Sequence, residues 1–178
     1  MIGEPGTILT EVPLPWLSGW AVVDALNRTL AHPRRYFVAL SDSGSAVVLT
    51  GQPSAFNDMV RGAATISSDE TAVSIATSFV DLTQDFVVAS YRVASVDEIR
   101  WLSKLNASQE TAKEKIIADV KDRLVPAVAQ RSGDAWDVTV WTVTGTSLIR
   151  HDMAVLADGT VTETTTEVVS DMPVPQSI

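Results

Sequence analysis

Cysteine is absent from the chain's 178 residues, which excludes a disulfide framework, a thiolate metal site and a cysteine nucleophile. Histidine is almost absent too. Only His32 and His151 occur, too few for a three-histidine zinc centre. Positive charge is scarce: 13 Lys and Arg stand against 22 Asp and Glu, a formal net charge of −9. The one adjacent basic pair is Arg34-Arg35. A chain this acidic repels phosphate backbones and anionic lipid surfaces, so neither nucleic acid nor membrane is an expected partner. Glycine and proline, at 9 and 8 residues, are too few for a collagen-like or low-complexity chain. No glycine-rich phosphate loop, dinucleotide fingerprint or nucleophile elbow is present. No cofactor and no metal is therefore expected. No run approaches the roughly 18–20 apolar residues of a membrane span. The first residues, Met-Ile-Gly-Glu-Pro-Gly, lack the basic and apolar regions of a signal peptide, so the expected location is the cytoplasm.

What is present is ordinary globular composition, 46% hydrophobic and 20% charged. Trp16, Trp20, Val23, Leu26 and Leu30 repeat at helical spacing and predict a helix from about 16 to Pro33, with Asp24 and Arg28 paired one turn apart. Apolar runs at 36–40 and 46–50, separated by Ser41-Asp42-Ser43-Gly44-Ser45, predict a largely buried hairpin. Pro53 suits the first turn of a short helix carrying Phe56, Met59, Val60 and Ala63. Ile75, Phe79, Leu82 and Phe86 favour a helix over 69–86, although Val73, Ile75 and Phe79 with the threonines among them fit a strand equally well, and a strand follows over 86–93. The clearest helix carries Ile116, Val120, Leu124 and Val128, capped by Asn106 or Ser108, stiffened by an Asp119–Arg123 pair, kinked at Pro126 and closed by Gly133. Three strands, 136–144, 147–156 and 160–169, form a meander joined by Gly145-Thr146 and Asp158-Gly159 turns. The tail, 172–178, reads as extended and frayed.

Candidate chemistry is sparse. His151-Asp152 resembles a catalytic dyad. In a strand, however, the two neighbours face opposite ways, His151 with Ile149 and Met153, Arg150 with Asp152. Asp97-Glu98 beside Arg100-Trp101 offers carboxylates next to an aromatic platform, but Ser95 and Glu98 also fit the cap of a short helix. Asp81 and Asp85, four apart, would share a helix face and could hold a magnesium ion, or simply be a solvated helix end. Thr160, Thr162, Thr164 and Thr166 alternate with Glu163 and Glu167, as on an exposed edge strand. The five tryptophans are the least ordinary feature. Trp136 and Trp141 must face opposite sides of one strand. With Trp101 they are the candidate binding residues, since tryptophan is enriched at recognition hot spots. His151 and Asp97 are the weak candidates for catalysis.

The expected fold is one α+β domain, an antiparallel sheet with helices on one face, built from helix–hairpin units at 16–50 and 107–156 that each follow or contain Trp-Leu-Ser. A two-part organisation, 1–94 and 95–171, is compatible with this. In element order alone the expected arrangement is similar to two architectures: the small, acidic, dimeric secretion-chaperone fold and the nuclear-transport-factor cone. The first implies a non-enzymatic interaction or chaperone-like module with a protein partner or a second copy. The second implies a small-ligand or enzymatic pocket near His151, lined by Trp136 or Trp141 and Asp97. The interaction module is the reading expected first.

Overall fold

The chain is an α+β protein with two antiparallel sheets and three helices. The structure is a computed structural model and describes residues 3–29 and 33–176. The first sheet is a meander of β1 (Thr7–Val12), β2 (Trp20–Asn27), β3 (Arg34–Ser41) and β4 (Ala46–Val48) in that spatial order. Helices α1 (Pro53–Val60) and α2 (Asp69–Thr83) follow, then β5 (Ser90–Val93), a short 3-10 turn at Val96–Glu98, and α3 (Ala107–Val120). The second sheet adds β6 (Ala129–Ser132), β7 (Ala135–Thr144), β8 (Ser147–Leu156) and β9 (Val161–Val169). Its order is β5-β7-β8-β9, and β6 shares with β5 the same edge of β7. β5 pairs residues 141–144 of β7 and β6 pairs 135–138, so neither strand reaches Thr139 and Val140.

The expected helix from 16 to 33 is the strand β2. Its apolar residues satisfy helical spacing, yet the β-branched pair Val22-Val23 favours a pleated surface. Gly19, at φ 73°, also ends the preceding turn in a backbone conformation that no helix can include. Asp24 pairs across strands with Arg35, at 2.9 and 3.0 Å, rather than along a helix with Arg28. Leu30 and His32 lie outside the described residues. The helix–hairpin repeat therefore disappears, because the first unit is a four-stranded meander.

Other expectations hold with shifted limits. α1 starts at Pro53 and buries Phe56, Met59 and Val60. α2 buries Ile75, Phe79 and Leu82, and the Ser68 hydroxyl caps it through the Thr71 N–H. The strand expected over 86–93 shrinks to β5, since Phe86 takes φ 57° and turns the chain. α3 opens with a reciprocal capping box between Asn106 and Gln109. It stops well before Pro126, and Val128 stands exposed past its end. Asp119 pairs with Lys115 at 2.6 Å, while Arg123 donates to the Asp119 carbonyl. Gly133, at φ 62°, turns β6 into β7 instead of closing a helix. The tail is not frayed at its start: Met172 and Val174 are buried, and the Leu102 N–H donates to the Pro173 carbonyl.

Helices cover both faces of the second sheet, not one. On one face a large core joins Val22, Phe37 and Ala39 of the first sheet to Phe56 of α1, Phe79 of α2 and Trp136, Val138 and Val155 of the second sheet. Ala72 and Ala76 are the small residues of the α2 stripe and let it approach β7 closely. On the other face a smaller core sets Ile116 and Val120 of α3, with Met172 and Val174, against Trp141, Val143 and Leu148. Polar clips lock the larger core. Trp16 Nε1 donates to Ser74 Oγ at 3.0 Å, and Trp136 Nε1 donates to Asp69 Oδ1 at 3.0 Å. Asn57 of α1 both donates to the Val161 carbonyl and accepts its N–H, at 2.9 and 2.8 Å.

The β8–β9 turn is a sensitive point. A Cβ on Gly159, at φ 86°, would stand 2.5 Å from the Ala64 Cβ. Gly159→Ala combines a left-handed backbone penalty with overpacking, and should cost about 2–4 kcal/mol by urea denaturation. In the same turn the Thr160 hydroxyl, and secondarily the Thr160 N–H, donate to Asp158 at 2.7 and 3.0 Å and hold its carboxyl below the usual value. A depressed folded pKa stabilises above the unfolded value and is lost as pH falls through the folded one. Thr160→Val should therefore flatten the loss of melting temperature on acidification below about pH 4.

Candidate functional site

His151 is held from both sides. On β8 it faces the larger core, with Ile149 and Met153. Its Nδ1–H donates to Glu163 Oε1 of β9 at 2.7 Å, and its Nε2 lies 2.8 Å from Thr142 Oγ1 of β7, accepting from that hydroxyl in the neutral ring. The chain of bonds continues from Thr142 to Thr144 at 3.1 Å and from Thr144 to Ser90 of β5 at 2.9 Å. Four strands are thus laced by one polar row. Carboxylate, imidazole and hydroxyl stand in the order of a nucleophile triad. The hydroxyl is out of reach, however: Thr142 is 1% exposed. Beside it on the same face, Arg92 reaches over to Asp81 of α2 at 2.8 and 3.0 Å. This row satisfies buried polar groups in the middle of a sheet. Glu163 was not legible as a partner of His151 from the dipeptide. It becomes so once the Asp158-Gly159 turn fixes the register, which sets Glu163 opposite Met153 and diagonal to His151.

The other candidates lie apart. Asp97 is exposed in the 3-10 turn, away from His151. Ser95 makes no side-chain cap there; the Glu98 carboxylate instead accepts the Ala94 N–H at 2.7 Å. Asp81 is taken by Arg92, and Asp85 accepts the Val87 N–H, so this pair does not converge. Trp101 is half-buried with the Lys113 ammonium over its ring at 5.5 Å. Trp136 is buried in the larger core, with the Arg131 guanidinium 4.7 Å from its ring centroid. Trp136 and Trp141 do face opposite ways. The second core and the chain after α3 cover the latter, so no tryptophan stands bare on the sheet.

Trp141 nevertheless borders open space. A concavity of about 390 Å³ lies where residues 125–128 pass over the outer face of β7 and β8. Trp141, Thr139, Asp137, Arg150 and Asp152 line it. Arg150 grips Asp152 through Nε and Nη2 at 2.8 and 2.7 Å, and Thr139 donates to the same carboxylate at 3.1 Å. A smaller concavity of about 230 Å³ opens on the other side of Val125 and Trp141, at the gap between β5 and β6.

A second feature is masked in the sequence by the helical spacing of residues 16–30. The first sheet turns one face to the larger core with Val22, Phe37 and Ala39. By alternation the opposite face carries Leu9, Val23, Tyr36, Val38, Leu40 and Val48, with smaller alanines between them. Ala25 and Val38 in its middle are buried, at 0% and 2% exposure, and Val23, Tyr36 and Leu40 are half-buried. Leu9 and Val48 are 47% and 44% exposed on it. Its charged residues are Glu11 and Arg34, one of each sign, on different strands.

No family model, curated protein or solved structure matches this chain. None of the described helices is long and apolar enough to cross a membrane.

If the His151 row is structural, His151→Ala should cost about 1–3 kcal/mol in urea denaturation, the usual cost of stranding buried polar partners. Glu163→Gln, which still offers an acceptor, should cost clearly less.

Proposed function

We propose that this chain is a non-catalytic interaction module, chaperone-like in character, that associates through the outer face of its first sheet, and that a second copy is the partner. One observation carries the reading: an apolar sheet face spread over four strands, half-buried at Val23, Tyr36 and Leu40 and exposed on its edge strands through Leu9 and Val48. A contiguous patch of this kind marks an interaction surface. The second copy suits this face because it offers an equal apolar area, and Glu11 and Arg34 supply opposite charges that a twofold can set against one another. The burial of Thr142 behind Arg92 supports a non-catalytic role for the His151 row. A cysteine-free chain suits the reducing cytoplasm.

Sedimentation velocity tests this. The expected result is a reversible dimer with a Kd in the micromolar range, roughly 1–100 μM. Val48→Asp and Leu9→Asp should make it monomeric without changing the near-ultraviolet spectrum. The net charge of −9 repels a second copy, and salt screens that repulsion, so the dimer should tighten as salt rises. A chain that stays monomeric at about 200 μM, or a dimer indifferent to both substitutions, would overturn the reading.

A further inference from the structure

We infer that the concavity beneath residues 125–128, on the outer face of the second sheet, binds a neutral polyhydroxylated ligand of saccharide type. The starting observation is an indole without an acceptor. Trp16 and Trp136 are buried, and each donates its Nε1–H to a side chain, Ser74 and Asp69. Trp141 is more deeply buried, at 3% exposure, yet its Nε1–H has no acceptor among the described residues. A buried donor normally finds a partner. This one is not sealed in, since no fully enclosed side-chain nitrogen or oxygen lacks a bond among the described residues. The N–H therefore reaches one of the two open spaces that Trp141 borders, and the larger of them carries the polar lining for an incoming oxygen.

The lining defines that oxygen's owner. Arg123 and Arg150 contribute two positive charges, and Asp137 and Asp152 two negative ones, so the site is neutral in a chain of net charge −9. A phosphate or carboxylate would meet both aspartates, and an ammonium both arginines. Donors and acceptors are interleaved. Arg150 uses Nε and Nη2 on Asp152 and keeps its Nη1 donors free, while Gln130 and Asp137 make no side-chain hydrogen bond among the described residues. Hydroxyl groups, which donate and accept at once, match that mixture. Val125 and Val128, 49% and 70% exposed, supply an apolar rim for the C–H faces of a sugar ring. The volume, about 390 Å³, lies within the usual range of small-ligand sites, roughly 300–1,000 Å³.

The test is titration of the full chain with maltotriose, cellotriose and mannotriose, followed by tryptophan fluorescence and calorimetry. Neutral N-acetyl-triglycine amide serves as the peptide control. At least one trisaccharide should bind saturably with a Kd below about 5 mM, a modest affinity for a shallow wet site. Trp141→Phe keeps an aromatic ring, smaller than the indole, and removes the N–H; Asp137→Ala alters an exposed side chain with no hydrogen bond among the described residues to lose. Each should weaken binding about tenfold or more. Asp137→Ala should also keep the wild-type melting temperature, so the test survives if Trp141→Phe folds poorly. The Val48→Asp variant should bind as well as the wild type, which separates this site from self-association. No saturable binding of any trisaccharide at about 20 mM would overturn the inference. So would binding unchanged in both variants, or binding of the peptide control in place of the sugars.

Discussion

A central strand has two faces, and both must be kept from water. β7 is that strand here. Trp136, Val138 and Val140 point to one side, and Trp141 and Val143 to the other. Everything else in the molecule is arranged around covering them. The first sheet with α1 and α2 supplies one cover, and α3 with the 172–174 segment supplies the second. Apolar burial of this kind contributes about 25 cal/mol per Å², so losing either cover would leave more surface exposed than a domain of ordinary stability can tolerate. The polar row from Glu163 through His151 to Ser90 runs along β7's larger-core side and fills the part of that face that apolar side chains do not.

The same constraint explains where open surface remains. β7 is ten residues long, but its edge is shared by two four-residue strands placed end to end. The chain leaving α3 must reach β6 by crossing over Trp141, and that crossing makes the concavity roofed by residues 125–128. The first sheet has the complementary problem. Its outer face is covered at Ala25 and Val38 but leaves Leu9 and Val48 on its edge strands half exposed. The two surfaces we assign to binding are thus the places where the covering of two sheets stops short.

Legibility followed the strength of local signals. Residues 136–169 were read nearly to the residue, because Gly145 and Gly159 mark tight turns at positive φ and long alternating runs stand between them. The apolar stripe alone marks α2, and the stripe together with its cap marks α3. The segment from Trp16 to Leu26 misled because tryptophans at 16 and 20 and valine at 23 satisfy a helical period by chance. Trp16 actually lies in a turn, clipped to Ser74, and Trp20 opens a strand. Tertiary pairing decided that element. β6 is hidden in the sequence because Pro126 and Gly133 also fit the kink and the end of one long helix, whereas Gly133 makes a hairpin turn. For the site, the outward pairing of Arg150 with Asp152 was readable from alternation. The unpartnered Trp141 N–H was not, since it depends on a crossing that no local pattern encodes.

Asn57 holds the Val161 backbone across 104 residues of sequence. This link has a consequence for the order of events at the ribosome. The inner face of the first sheet and the apolar stripes of α1 and α2 are complete once residue 83 has emerged, but β7, β8 and β9, which close over them, come last. At synthesis rates of about 5–20 residues per second, the amino-terminal half waits several seconds with its oily side uncovered. Until the last hairpin arrives, that uncovered side is the part of the growing chain most open to wrong contacts.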